Sequence, residues 1–178
     1  MNRILVLGNA GSGKSRLTNS IGTILQLPVH HLDAYFWLPG WKQSDFETFR
    51  GDVVALAAGE AWVIDGNYVR TLAERIAVAD TVLLLRPPKL LCILRVILRG
   101  LRERGQARSD LPAGCREQIP SPDFLRWIWR FDRDELPRIL TLIDQAGGRA
   151  TVQTFRTSRE VQEYLTHLNS AAGQSSNR

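Results

Sequence analysis

A three-layer α/β fold, with a five-stranded parallel sheet between two layers of helices, is predicted by three observations. Apolar runs bounded by turn residues fall at Ile4–Leu7, Val29–Leu32, Trp62–Ile64, Thr81–Leu85 and Ala150–Phe155. Helix-like stretches separate them, and that alternation favours parallel strands joined by helical crossovers. Chemistry-bearing residues, Gly8, Asp33, Asp65 and Arg86, stand at the carboxyl ends of the runs, where ligands gather in such sheets.

Taken in order, the first run feeds a glycine-rich turn and a helix from about 13 to 25, and Pro28 opens the second strand. Ser44-Asp45-Phe46-Glu47 reads as a capping box with Ser44 as cap, starting a helix that continues through Phe49, Val53 and Leu56 and stops at Gly59. A short helix near 72–77 precedes the fourth strand. Pro88 starts a strongly apolar helix to about 104. The interval 105–122, with Gly105, Pro112, Gly114, Pro120 and Pro122, is too long for a plain connection and reads as a mobile lid. A long helix from about 123 to 145, with Pro137 as a point of interruption, ends at Gly147-Gly148. The last strand leads into a helix from about 158 to 168 with Ser158 as cap, and 171–178 reads as a disordered tail. The predicted strand order is 2-3-1-4-5, in one domain over 1–170, with 34–60 as an acceptor-binding helical segment.

The glycine-rich turn carries the strongest signal. Gly8-Asn9-Ala10-Gly11-Ser12-Gly13-Lys14-Ser15 fits G-x-x-x-x-G-K-[ST] between a strand and a helix, which is a phosphate-binding loop. Its glycines permit backbone conformations that turn N–H groups inward, while the following helix aims its positive end at the same point. Lys14 would reach the β- and γ-phosphates of a nucleoside triphosphate, and the Ser15 hydroxyl would ligate Mg²⁺ bridging them.

Composition narrows the remaining classes. A chain of 178 residues is long enough for one well-buried core. No N-terminal signal pattern is visible, so a cytoplasmic location is expected. The most apolar region, 82–101, is interrupted by Arg86, Pro87, Pro88, Lys89, Arg95 and Arg99, which argues against a membrane span. Cys92 and Cys115 are the only cysteines and support neither a disulfide framework nor a zinc cluster. The net charge of +5 is concentrated: 86–133 holds 11 basic and 5 acidic residues. Such a patch suits a triphosphate or a nucleic acid.

Asp33 and Asp65 stand at strand tips. Either could hold Mg²⁺ through water or take a proton from an attacking hydroxyl, and either could simply cap a turn. Gly66 would let a substrate come close to Asp65. Arg95, Arg99 and Arg102 share one helical face, as do Arg126, Arg130 and Arg133. Lid closure could bring a subset onto the transferring phosphoryl group, against the alternative of solvated charge. Arg126 and Arg130 are the candidates for that role, with Arg95, Arg99 and Thr157 assigned to nucleotide binding. Trp37-Leu38-Pro39-Gly40-Trp41 could stack a planar substrate or pin a loop. His30 and His31 read as a packed pair rather than as catalysts.

On the phosphate loop, His31-Leu32-Asp33, Trp37–Trp41, Trp62–Tyr68 and the segments at Arg104-Gly105 and Gly114-Cys115, the chain resembles the adenylate-kinase-like group of P-loop proteins. Within it the resemblance is closest to the DNA topology modulation (FlaR-like) proteins. It covers about residues 1–168. It implies a nucleoside-kinase-like core with a lid and a substrate-binding helical segment, binding ATP with Mg²⁺. Asp65-Gly66 matches the segment by which adenylate kinases contact a magnesium water and the acceptor nucleotide, while Asn67-Tyr68-Val69-Arg70 departs from it. That departure weakens a nucleoside monophosphate as the acceptor. The expected function is therefore phosphoryl transfer from ATP to a small-molecule or nucleotide acceptor. A nucleotide-dependent DNA-binding regulator and a P-loop ATPase without an acceptor are the alternatives.

Overall fold

In the computed structural model, which describes residues 1–107 and 111–175, five strands form one parallel sheet: β1 (Arg3–Gly8), β2 (Val29–His31), β5 (Trp62–Asp65), β6 (Thr81–Leu85) and β7 (Thr151–Phe155). They lie in the order β2-β5-β1-β6-β7, which for the five predicted strands is 2-3-1-4-5. Register places Val6 against both Asp65 and Leu83, so the phosphate loop leaves the sheet at its centre.

The central strands β1, β5 and β6 are buried along almost their whole length, which is why they are apolar at successive positions rather than at alternate ones, whereas β7 at the edge is exposed except at Phe155. Leu5, Leu7, Ile64, Val82 and Leu84 pack on one side with Phe49 of α3 (Phe46–Ala57), Leu72 and Ile76 of α4 (Leu72–Ile76) and Ile139 of α7 (Leu136–Gln145). Ile4, Val6, Val63 and Leu83 pack on the other with Leu17 and Ile21 of α1 (Lys14–Leu25) and Leu165 of α8 (Ser158–Ser175). Burying each such side chain contributes about 1.5–3 kcal/mol. A smaller cluster joins Cys92 and Val96 of α5 (Lys89–Arg102) to Ile128 of α6 (Pro122–Asp134), directly over Ala10 of the phosphate loop. The opposite face of α5 turns Leu90, Leu94, Leu98 and Leu101 to solvent. Among the described residues no helix is long and apolar enough to cross a membrane.

Several boundaries differ from the sequence expectation. After β2 the chain forms a short helix, α2 (Asp33–Phe36), and a hairpin of β3 (Trp37–Leu38) and β4 (Lys42–Gln43) around Pro39-Gly40. Pro-Gly is a turn dipeptide, so the hairpin had a local signal. The cap of α3 is Asp45, which accepts from the Thr48 N–H, rather than Ser44. The predicted 123–145 helix is two helices that break at Glu135, because Pro137 has no N–H and its ring would clash with the carbonyl four residues back. The cap of α8 is Thr157 rather than Ser158: Thr157 Oγ1 accepts from the Glu160 N–H, and the Glu160 carboxylate accepts from the N–H groups of Arg156 and Thr157. The expected disorder from 171 gives way to helix through Ser175, in a run of alanines and small residues after Ser170, whose hydroxyl donates to the Thr166 carbonyl. Residues 176–178 lie outside the described residues, as do 108–110 of the excursion after α5.

Candidate phosphate-transfer site

The loop between β1 and α1 is built to hold an anion. At Gly11, φ is +74° and a Cβ would stand 2.4 Å from the Cys92 carbonyl oxygen, so only glycine lets the loop pass under α5. Gly13 caps α1 with no side-chain hydrogen bond, and the first turn of that helix carries no acidic residue. The N–H groups and the positive end of α1 are left for a ligand. Asn9 Nδ2 donates to the Ile128 carbonyl at 2.8 Å and fixes the loop to α6. Ser12 Oγ is buried with no partner among the described residues, a donor that a phosphate oxygen would satisfy. Lys14 Nζ donates to the Gly8 and Asn9 carbonyls, both at 2.9 Å. Burial lowers the pKa of this ammonium, and the nearby charges of Asp65 and Asp33 oppose that shift. Ser15 follows in the first turn of α1. These features fit a nucleotide polyphosphate, and the hard oxygen donors Ser15 Oγ and the Asp65 carboxylate fit a Mg²⁺ ion shared with it.

Asp65 ends β5 beside the loop and is 4% exposed. Its Oδ2 lies 2.9 Å from His31 Nδ1, and His31 Nε2 lies 3.0 Å from Asn19 Oδ1 on α1. The reading of the two histidines as a packed pair holds for His30, whose Nδ1 meets the Tyr35 hydroxyl at 3.2 Å. It misses His31. Asp33 opens α2 and accepts from the Tyr68 hydroxyl at 2.6 Å. Burial, then the Asp33 charge, push the Tyr68 phenol pKa far up, so Tyr68 stays a donor.

The segment 67–70 that departs from the adenylate-kinase pattern has its own use at Asn67. Asn67 Oδ1 accepts from the Gly8 N–H at 3.0 Å and Asn67 Nδ2 donates to the Gly8 carbonyl at 2.8 Å, clamping the start of the phosphate loop from 59 residues away. Below it Arg75 is fully buried and donates to the carbonyls of Gly66 at 2.8 Å and Asn67 at 2.7 Å. Burial brings its pKa down to about 9, with the charges of Glu74, Tyr68 and Asp65 acting the other way. Neither residue was singled out from sequence. Asn67 stood in a segment noticed for its mismatch, and Arg75 has no local signal.

The arginines divide. Arg95 reaches the Gly11 and Ser12 carbonyls at 3.4 Å and donates to Ser158 Oγ at 3.0 Å. It borders a groove of about 410 Å³ lined also by Arg16, Pro87, Phe155, Arg156 and Thr157, alongside Ser12 and Gly13. The Thr157 hydroxyl itself is committed to the cap of α8. Arg99 pairs at 3.1 Å with Glu117, whose side chain is 6% exposed. The structure does not bring Arg126 and Arg130 to the loop: they pair with Asp123 and Asp134 on their own helix, at 3.2 and 3.5 Å.

The excursion after α5 folds back on itself. Gly105 N–H donates to the Glu117 carbonyl and Glu117 N–H to the Gln106 carbonyl. Its tip docks on the β3–β4 hairpin: the Gly40 N–H donates to the Gly114 carbonyl at 3.3 Å, Trp41 Nε1 to the Arg116 carbonyl at 2.9 Å, and the Cys115 thiol to the Leu38 carbonyl at 3.2 Å. The tryptophan loop therefore pins a neighbouring segment.

No protein-family model matches the chain, and no curated protein matches it. Solved structures do match. Shikimate kinase from Acinetobacter baumannii, in complex with shikimate, superposes with a TM-score of 0.57 at 16% identity, over 96% of this chain and 94% of that one. Shikimate kinase from Bacteroides thetaiotaomicron gives 0.56 at 16%, over 96% and 97%. A gluconokinase from Sinorhizobium meliloti 1021 gives 0.52 at 16%, over 97% and 92%. With the Gly8–Ser15 loop leaving the centre of a 2-3-1-4-5 parallel sheet, this chain shares the three-layer α/β fold of those structures.

Proposed function

We propose that the protein is an ATP-dependent phosphotransferase acting on a small hydroxyl-bearing acceptor. The observation that carries this reading is the convergence beside the Gly8–Ser15 loop of Asp65 at the end of β5 and Asp33 at the start of α2, whose charges both oppose the lowering of the Lys14 pKa by burial. Gly8, Asn9, Ala10, Gly11, Ser12, Gly13, Lys14 and Ser15 hold the polyphosphate, and the base lies in the groove beside Arg95, Arg156 and Thr157. Ser15 and Asp65 would hold a Mg²⁺ ion, which would offset phosphate charge there. Asp33 takes the proton of the acceptor hydroxyl as its oxygen bonds to the γ-phosphorus and the bond to the β–γ bridging oxygen breaks. Lys14 and Arg99 offset charge on the phosphoryl group. The 34–60 segment holds the acceptor and the 105–122 segment acts as the lid. Arg126 and Arg130 join only if α6 turns toward the loop.

A panel of nucleosides, nucleoside monophosphates, sugars and other hydroxyl metabolites, screened for acceptor-dependent ADP release, tests the reading. One acceptor class is expected to stimulate release. Lys14→Ala is expected to lower turnover at least about a hundredfold, the scale of losing a positioned charge on the transferring group. Acceptor-independent ADP release would favour the ATPase. DNA affinity that falls steeply with salt and survives Asp65→Asn would favour the DNA-binding regulator, the reading suggested by the resemblance to DNA topology modulation proteins. The basic surplus that motivates it is partly neutralised, since Arg126, Arg130 and Arg133 all pair within α6.

A further inference from the structure

The His31 imidazole bridges two elements that the phosphate-loop motif leaves unconnected. His31 and Asp65 are Cα partners in the β2–β5 pairing, so both side chains emerge together at the carboxyl ends of their strands. Asn19 stands four residues beyond Ser15 on α1, on the same helical face one turn on. The ring lies between them, its side chain 13% exposed and that of Asp65 6%.

Asp65 needs a partner because of what stands beside it. The Lys14 ammonium feels Asp65 more strongly than any other charge, and opposite charges shielded from water close on each other. Yet Lys14 donates to the Gly8 and Asn9 carbonyls, and the Asp65 Oδ2 atom is engaged by His31.

We propose that His31 is a positioning residue: it holds Asp65 by Oδ2 in one orientation and keeps the carboxylate from pairing with Lys14, while Asn19 fixes the far side of the ring. The proposal rests on the phosphotransferase reading for its effect on turnover, but its effect on nucleotide binding stands without an acceptor.

Two amides separate the ring's two contacts. Asparagine places its nitrogen where histidine carries Nδ1, and glutamine where it carries Nε2. His31→Asn thus keeps the donor to Asp65, His31→Gln keeps only the contact to Asn19, and His31→Ala keeps neither. ADP affinity with and without Mg²⁺ is measured by calorimetry, and kcat and KM are measured with the acceptor found in the screen. In the Gln and Ala variants, Mg²⁺-ADP affinity is expected to fall about tenfold and kcat about 10- to 100-fold, the scale seen when a partner orienting a metal-site carboxylate is lost. In the Asn variant both are expected within about threefold of the parent, with KM for the acceptor unchanged in all three. Equal behaviour of the Asn and Gln variants, or losses that follow melting temperature, would overturn the proposal. A parent protein that binds Mg²⁺-ADP and phosphorylates nothing would remove the phosphotransferase reading instead, and the order of the binding constants would still decide the role of His31.

Discussion

On the phosphotransferase reading, the two ends of the proposed site are finished to different degrees. On the nucleotide side a groove of about 410 Å³ stands open beside the phosphate loop, bordered by Arg16, Arg95 and Arg156. On the acceptor side the carboxylates are already engaged, Asp33 by Tyr68 and Asp65 by His31, and the excursion is docked on the β3–β4 hairpin. A polyphosphate meets the end of α1, where Gly13 caps the helix with no side-chain hydrogen bond, while the Gly8 and Ser12 N–H groups are already used by Asn67 and the Asn9 carbonyl. An acceptor hydroxyl must come between groups that now satisfy one another, and in return meets them in fixed positions.

That division can be broken from either side. Arg95→Ala has the largest expected effect among changes confined to one end: Kd for ADP rises about tenfold, about 1.4 kcal/mol, with the acceptor KM unchanged. Titration and steady-state kinetics check it, and a shift in acceptor KM of the same size would mean the two ends are not separate. Gly114→Ala acts on the other end. At φ +92°, with its new Cβ 3.1 Å from the Pro39 Cβ, the alanine strains the docked excursion by about 1–3 kcal/mol. Acceptor KM is expected to rise while ADP affinity stays at the parent value, and a loss of ADP affinity instead would place the excursion's effect on the nucleotide.

Asp45→Asn sharpens the comparison as its control. Hydrogen bonding from the Thr48 N–H holds the Asp45 carboxyl below its usual pKa, so its stabilisation is present above the ordinary carboxylate range and is lost as pH falls through the folded value. Asparagine still caps α3 but does not titrate. The melting temperature of the variant is expected to fall less steeply than the parent's between about pH 5 and pH 3, with neither ligand's affinity altered at pH 7.

What could be read in the sequence was local. Gly8–Ser15 declare themselves because four positions, Gly8, Gly13, Lys14 and Ser15, carry fixed backbone or side-chain requirements within eight consecutive residues. Asp33 and Asp65 were visible because each follows an apolar run, although β2 stops at His31 and Asp33 opens α2 instead of ending a strand. The caps of α3 and α8 were each misplaced by one residue, since adjacent Ser44-Asp45 and Thr157-Ser158 are all good cap formers. At α8 the decisive residue was Glu160, which completes a capping box with Thr157 and not with Ser158. His31, Asn67 and Arg75 could not be read in this way. His31 meets Asp65 across 34 residues and Asn67 meets Gly8 across 59. Arg75 is a charged residue inside the core, kept there by backbone carbonyls that no sequence pattern displays.

The two thiols, both fully buried, are held by different kinds of structure. Cys92 packs with α5, α6 and the phosphate loop, whereas Cys115 sits where the excursion meets the hairpin, its thiol donating to the Leu38 carbonyl. Modification of Cys115 by a thiol reagent therefore clocks the undocking of one segment, and modification of Cys92 clocks the loss of the packed domain. The chain carries two internal chronometers, and adding nucleotide or acceptor while both run would show which ligand slows which.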